Sequence, residues 1–225
     1  MSNEMINLGV RKIGHGCQIK YIRKDVFMND VIRHYDLLVE ENNDPVNDTL
    51  PLRQYMDKWD GHLFLEDLQL ELNKTVLEIG VGTGRLAVRT CGYCKELWGI
   101  DLSPKTVKRA GENLRGYTNV KLVCGDFMTY EFPKKFDVIY SSLTFMHVKE
   151  KEQAIAKAAS LLTGRGRFVL SIDKSQAEYI EIGTRRIRIY PDKPEAITKF
   201  IGNAGMYPVK IYETEFAVIF LAVIR

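Results

Sequence analysis

Glu78, Gly80, Gly82 and Gly84 occupy every second position in the stretch V-L-E-I-G-V-G-T-G-R-L-A, residues 76–87, and this spacing is where the chain can do chemistry. An apolar run ends in a carboxylate, three glycines alternate with single residues, and a helix-forming sequence follows. That order reads as strand, tight loop, helix. Glycine is required where the backbone takes positive φ or where a ligand must touch the main chain. Loops of this kind hold the polar part of a nucleotide-like ligand at the carboxyl end of a parallel strand. Two more carboxylates follow at expected strand ends: Asp101, 21 positions beyond Gly80, and Asp126 in Gly125-Asp126-Phe127. Each has a second reading, Asp101 as a cap for the helix opened by Ser103-Pro104 and Asp126 as an ordinary Gly-Asp turn. His147, in the loop S-S-L-T-F-M-H-V, would titrate near neutrality if unperturbed and so could take a proton from a hydroxyl or amine. It could equally orient its loop or cap the next helix.

Glycine spacing discriminates between ligands. A dinucleotide fingerprint needs its third glycine at position 85, which is Arg85, and a phosphate-binding loop would end in G-K-[ST], where this chain has Gly84-Arg85-Leu86. Asp101 alone would suit a nicotinamide dinucleotide as well.

The elements that must position these residues alternate. Strands are expected at Thr75–Gly80, Glu96–Ile100, Val120–Cys124, Phe136–Tyr140 and Arg167–Ile172. Helices are expected from about Gly84 to Cys91 and beyond, after Ser103, from Lys151 to Leu162 and from Pro194 to Ala204. Alternation of this kind argues for a parallel, doubly wound sheet. The last two strands, Val209–Tyr212 and Phe216–Ile224, are separated by so few residues that they must pair antiparallel. Before this frame, Asn29–Glu41 and Pro51–Leu70 read as helices, the second interrupted at Gly61. Gly14-His-Gly16 reads as the turn of a small hairpin between Val10–Ile13 and Gln18–Ile22. Arg186–Tyr190 alternates as an extra strand would.

The stretch from Glu78 to Gly84, with the antiparallel hairpin that closes the sheet, resembles the class I S-adenosylmethionine-dependent methyltransferases. The resemblance covers roughly residues 75–225, about two thirds of the chain. It implies a mostly parallel, seven-stranded, Rossmann-like sheet ending in an antiparallel hairpin, with residues 1–74 as an N-terminal extension or lid and 75–225 as the methyltransferase domain. It implies S-adenosyl-L-methionine as cofactor. Gly80, Gly82 and Gly84 would let its methionine portion lie against the backbone. Glu78 would order the loop and the cofactor's amino acid end, and Arg85 would reach the methionine carboxylate or stand as a surface arginine. Asp101 would take the ribose hydroxyls, Leu102 would pack on the adenine, Asp126 would take the adenine amino group and Phe127 would cover the ring. Ser141 would border the cofactor at the end of its strand. His147 would stand near the transferred methyl as the catalytic candidate. Tyr35, in Tyr35-Asp36, would cover the cofactor or pack at the surface. Asp137 would be structural.

Several classes are excluded by what is missing. The position where D-P-P-Y or N-P-P-Y would suggest methylation of a nucleobase amine or a glutamine amide reads Tyr140-Ser-Ser-Leu143. No Pro-Cys nucleophile loop and no Asp-Asn pair for magnesium is found, so no metal is expected. Cys91-x-x-Cys94 lacks a second ligand pair and reads as buried or incidental thiols. The formal net charge of +3, with 32 Lys and Arg interleaved among 29 Asp and Glu, gives no nucleic-acid stripe. Without a leader-like N-terminus or a bilayer-length apolar run, the expectation is a cytoplasmic protein, monomer or homodimer, acting on an O, N or C atom of a small molecule with no membrane partner. The rival readings are a non-catalytic S-adenosylmethionine-binding module and, further off, an NAD-dependent oxidoreductase. Arg185, Arg186 and Arg188 could favour an anionic acceptor or form a solvated strand edge.

Overall fold

In the computed structural model, residues 6–13, 17–23 and 30–224 are described. The sheet has nine strands: β1 (Ile6–Ile13), β2 (Cys17–Arg23), β3 (Thr75–Ile79), β4 (Glu96–Asp101), β5 (Val120–Cys124), β6 (Phe136–Ser142), β7 (Leu162–Asp173), β10 (Met206–Glu213) and β11 (Ala217–Ile224), in the order β1-β2-β5-β4-β3-β6-β7-β11-β10. A separate antiparallel pair joins β8 (Tyr179–Ile182) to β9 (Arg185–Arg188). The helices are α1 (Asp30–Glu40), α2 (Leu50–Asp67), α3 (Ala87–Thr90), α4 (Pro104–Asn113), α5 (Lys151–Ser160) and α6 (Pro194–Asn203).

The seven strands expected from residue 75 onward are all present, and β11 lies antiparallel between β7 and β10. The N-terminal segment adds two more. β1 and β2 pair antiparallel as the sequence suggests, while their turn, residues 14–16, lies outside the described residues, as does the N-terminus read for a leader. Period-2 patterning does not reveal that β2 also pairs in parallel with β5, Gln18 against Lys121 through Tyr21 against Cys124. The extension is thus built into the same sheet as the segment that follows it.

Strand residues alternate between two cores, as the pleat requires. In β3, Leu77 and Ile79 face a layer holding Ile155 of α5 and Ile197 and Ile201 of α6. Val76 faces a layer with Phe64 of α2 and Val107 and Ala110 of α4. Both faces being covered, the central strands are buried almost throughout, the environment parallel strands need. Asp137 ties three strands at their lower ends, accepting from the Thr75 backbone N–H at 2.8 Å, from Thr75 Oγ1 at 3.0 Å and from Thr163 Oγ1 at 3.1 Å.

Three element readings change. The helix after the glycine loop is a single turn, α3, continued as a 3-10 turn over Cys91–Tyr93. Asn119 stops it: its side-chain amide donates to the carbonyls of Cys91 at 2.8 Å and Cys94 at 3.0 Å, satisfying acceptors that a longer helix would have used. The strand expected from Arg167 already begins at Leu162, so Gly164 and Gly166 lie within it. The extra strand read at Arg186–Tyr190 is Arg185–Arg188, paired with β8. The interruption expected at Gly61 is real: its φ of 69° and ψ of 176° break α2 into two pieces. The cysteines are free and buried, and burial pushes their thiols up to about 11 for Cys17 and Cys91 and about 12 for Cys94 and Cys124, the behaviour of inert thiols. Among the described residues no helix is long and apolar enough to cross a membrane.

Candidate active site

β4 lies on one side of β3 and β6 on the other, so the strand order reverses at β3, and the glycine loop springs from its carboxyl end. The first two loop amides turn inward: the N–H groups of Gly80 and Val81 both donate to the carbonyl of Ile100, at 2.8 and 3.1 Å. Gly80 has φ of 78°, and a Cβ there would stand 1.9 Å from Thr144 Oγ1. The loop therefore passes flush against the turn after β6, which only glycine allows. Gly82 donates its N–H to Asp101 Oδ2 at 3.0 Å, and Gly84 packs against Leu114 of the α4 end.

Asp101 organises both sides of the site. Its other oxygen accepts from the Ser103 N–H at 3.0 Å. Burial raises its pKa, and the amides of Ser103, Gly82 and Leu102 act against that rise. Ser103 caps α4 as expected, its Oγ accepting from the Thr106 N–H at 3.1 Å. The same hydroxyl donates to Asp36 Oδ1 at 2.6 Å, and the Lys105 N–H donates there at 3.1 Å. Asp36 thus docks α1 on the α4 N-terminus, where the helix dipole favours an anion. Asp44 fastens the other end, accepting from Arg109 Nη1 at 3.2 Å and from Asn113 Nδ2 at 3.1 Å.

These clamps lay α1 over a cavity of about 1650 Å³, lined by Tyr35, Glu78, Gly80, Arg85, Asp101, Leu102, Asp126, Phe127 and His147 among others. Single ligand sites occupy roughly 300–1,000 Å³, so there is room for two molecules. Asp126 is exposed at the rim with its Oδ1 accepting from the Met128 N–H at 2.8 Å, and Phe127 is buried beneath it. Ser141 departs from the expectation. Its hydroxyl donates to the Ile79 carbonyl at 2.8 Å, it is fully buried, and Ser142 borders the cavity instead. Gly82 and Gly84 also stand back from the lining, which Gly80, Val81 and Thr83 supply.

Glu78 and Arg85 face a buried charged group. Glu78 accepts from Tyr140 OH at 2.8 Å, and burial drives its pKa up to about 8 against the pull of that bond and of Arg85. Arg85 pairs with Asp60 at 2.5 Å, and Asp60, 1% exposed at the break in α2, also takes the Ser142 hydroxyl. One Arg85 nitrogen, Nη1, is buried without a hydrogen bond and lies 3.6 Å from Asp57 Oδ1, while the Thr83 side chain faces the Asp44 carboxylate. Sequence reasoning missed Asp60; its one local signal is Gly61.

Tyr35 and His147 meet. The tyrosine hydroxyl and imidazole Nε2 are hydrogen-bonded at 2.8 Å, with the rings edge to face at 5.4 Å. Burial, with smaller contributions from His34 and Lys151, lowers the His147 pKa to about 4, well below the near-neutral value assumed for an unperturbed ring. The turn carrying His147 is held from outside by the Tyr190 N–H on the Met146 carbonyl at 2.7 Å, and by Lys151, which donates to the Phe145 carbonyl at 2.7 Å and pairs with buried Asp192 at 2.8 Å. Leu143, just before it, has φ of 56°, an uncommon conformation for a residue with a side chain and one that clusters at functional sites.

A parallel sheet closed by an antiparallel hairpin, with a glycine loop and an acidic strand end at the point of reversal, defines a class of protein, and the comparisons agree with it. Residues 77–170 match the family described as methyltransferase domain. An uncharacterized methyltransferase of Anoxybacillus flavithermus is 35% identical over 122 residues, 52% of this chain and 56% of that protein. The chain thus spans about half the length of the curated relatives it matches. Magnesium protoporphyrin IX methyltransferase from Synechocystis, solved with bound S-adenosylmethionine, superposes with a TM-score of 0.65 at 19% identity, over 90% of this chain and 100% of that one. The N-methyltransferase NodS from Bradyrhizobium japonicum, solved with S-adenosylhomocysteine, gives 0.66 at 15% identity over 87% and 98%. Over residues 77–170 the chain is similar to the methyltransferase domain family, and its fold is the one these solved methyltransferases share.

Proposed function

We propose that this protein transfers the methyl group of S-adenosylmethionine to an O, N or C atom of a small-molecule acceptor. The observation that carries the reading is the convergence of Gly80, Asp101, Tyr35 and His147 on one cavity with room for two ligands. The residues present fit the cofactor. The Gly80 loop offers bare backbone, Asp101 would offer its carboxylate to ribose hydroxyls, and Leu102, Asp126 and Phe127 line the same cavity and would receive an adenine. Arg85 Nη1 makes no hydrogen bond and stands 3.6 Å from Asp57 Oδ1, so it has room to donate to the carboxylate at the amino acid end of the cofactor. Glu78, held near neutral by burial, would be drawn back to a carboxylate by an arriving ammonium.

The bound cofactor supplies an activated methyl: the S–C bond breaks as the acceptor atom takes the methyl, and the electron pair stays on sulfur. The protein's part is alignment in a dry chamber. If Nε2–H donates to the Tyr35 oxygen, Nδ1 of His147 keeps its lone pair and can take the acceptor's proton. Burial also raises the Tyr35 pKa, so the phenol stays neutral.

A consequence is measurable. An imidazole lowered to about 4 stays neutral down to that pH, so kcat/KM limited by neutral His147 should be level from about pH 8 to about pH 5 and fall only below that. An inflection near the ordinary imidazole value, lost in His147→Gln, would contradict this assignment.

Turnover is tested with methyl-labelled S-adenosylmethionine and a broad acceptor panel. Label in an extracted product, with matching S-adenosylhomocysteine, supports the enzyme. Tight cofactor binding with no label transferred to any acceptor would favour a non-catalytic binding module.

A further inference from the structure

Beyond the cofactor end, the cavity continues between α1, the turn after β6 and the β8–β9 pair. Its walls here are apolar and aromatic, with Ile32, Met56, Met146, Ile180, Ile189 and Tyr190 on the lining. Among the described residues, the lining lysines Lys20 and Lys149 have no ion-pair partner, Lys149 being exposed, while other polar groups around the cavity are engaged. Asp173 accepts from Trp59 Nε1 at 3.0 Å and from the Ser175 N–H at 2.5 Å. Arg185 pairs with Glu41 at 2.7 Å, joining β9 to the end of α1. Arg186 lies 3.8 Å over the Tyr179 ring and 3.4 Å from Glu181. None of Arg185, Arg186 and Arg188 lines the cavity.

Against this apolar wall two lining residues have an open polar atom. Nδ1 of His34 and Nδ1 of His147 are buried without a partner. His34 is only 3% exposed, and its ring stands edge to face with Tyr35 at 5.1 Å, so the two imidazoles flank one tyrosine. Buried polar nitrogens are nearly always satisfied, and an unsatisfied pair lining one chamber calls for a ligand that completes them. Arg185 also keeps an unpartnered Nη1, but Glu41 balances its charge and it stands outside the lining.

We propose, on the basis of the methyltransferase reading above, that the acceptor is an uncharged, largely apolar ring compound bearing one hydroxyl or amine N–H, held through the open nitrogens of His34 and His147. The aromatic walls suit a flat ring. Of the lining lysines, Lys149 is exposed and Lys20 lies 5.7 Å over the Tyr130 ring, so an anionic acceptor deep in the chamber would lose its hydration without a buried cation to replace it. His34 acts here as a binding and specificity residue, and His147 remains the proton acceptor.

The test is calorimetry at pH 7 on protein saturated with S-adenosylhomocysteine, using 2-naphthol, naphthalene and 6-hydroxy-2-naphthoate as probes. The expectation is that 2-naphthol binds at least about tenfold tighter than either of the others. His34→Phe, which keeps a ring in place, should erase the advantage of 2-naphthol over naphthalene and leave S-adenosylhomocysteine affinity unchanged. Ile180→Glu, at a half-exposed position on β8, should weaken 2-naphthol about tenfold and likewise spare the cofactor product. The proposal is overturned if the carboxylate probe binds as tightly as 2-naphthol, which would point to Arg185 and an anionic acceptor. It is overturned too if 2-naphthol does not bind while S-adenosylhomocysteine does, or if His34→Phe keeps the preference. Failure of S-adenosylhomocysteine itself to bind would instead remove the underlying methyltransferase reading.

Discussion

Asp101→Ala should lower S-adenosylhomocysteine affinity at least about 100-fold. A buried carboxylate that accepts two hydroxyl hydrogen bonds from a ligand contributes about 1.5–3 kcal/mol through each, and about 1.4 kcal/mol is a tenfold change in affinity. The substitution also frees the Gly82 and Ser103 amides that Asp101 now holds at 3.0 Å each, so the loop and the start of α4 lose their common anchor. Asp101→Asn separates the two effects, since it keeps the volume and one acceptor oxygen while removing the charge. It should fold at a cost of about 1–3 kcal/mol, because its NH2 replaces the oxygen that accepted one of the two amides, and still lose most of the affinity. Retention of affinity within about threefold in a folded Asp101→Ala protein, a difference of well under 1 kcal/mol, would remove Asp101 from the cofactor site.

Gly80→Ala is expected to cost about 3–5 kcal/mol of folding stability, at the upper end of single substitutions. Two terms add. A side chain at positive φ is disfavoured by roughly 1–2 kcal/mol, and the new Cβ would fall 1.9 Å from Thr144 Oγ1 and 2.7 Å from both Thr144 Cβ and Cγ2. Removing the obstacle with Thr144→Gly should restore the steric part and leave the φ part, giving a coupling of at least about 1 kcal/mol in a double-mutant cycle by urea denaturation. Gly92→Ala is the contrast, because nothing lies within 4 Å of a Cβ at that position; its effect should stay within about 0.5 kcal/mol. Equal effects at Gly80 and Gly92 would mean that the loop does not run against the β6 turn as described.

Local features were the legible ones. The strand-loop-helix order at Glu78–Gly84, the Ser103 cap, the break at Gly61 and the terminal hairpin each depend on residues near one another in the chain, and each was visible there. What was hidden depends on distant segments. Nothing near Asp60 announces Arg85 or Ser142, and nothing near Gln18 announces pairing with Lys121. The Ser141 reading was off by one residue, and because strand side chains alternate faces, one position is enough to turn a hydroxyl from the cavity into the sheet. The place of His147 on the loop after β6 is legible locally, but its lowered pKa comes from burial by distant segments, which no local pattern contains. His34, beside the tyrosine that was singled out, carried no signal of its own.

The central claim is that the β3 loop, Asp101 and the overlying α1 form a site for the adenosyl cofactor. Isothermal titration of the pure, folded protein with S-adenosylhomocysteine tests it most directly. The account predicts saturable one-site heat with S-adenosylhomocysteine and none with NAD. No heat from S-adenosylhomocysteine or S-adenosylmethionine at millimolar concentration, or saturable binding of NAD in their place, would contradict it.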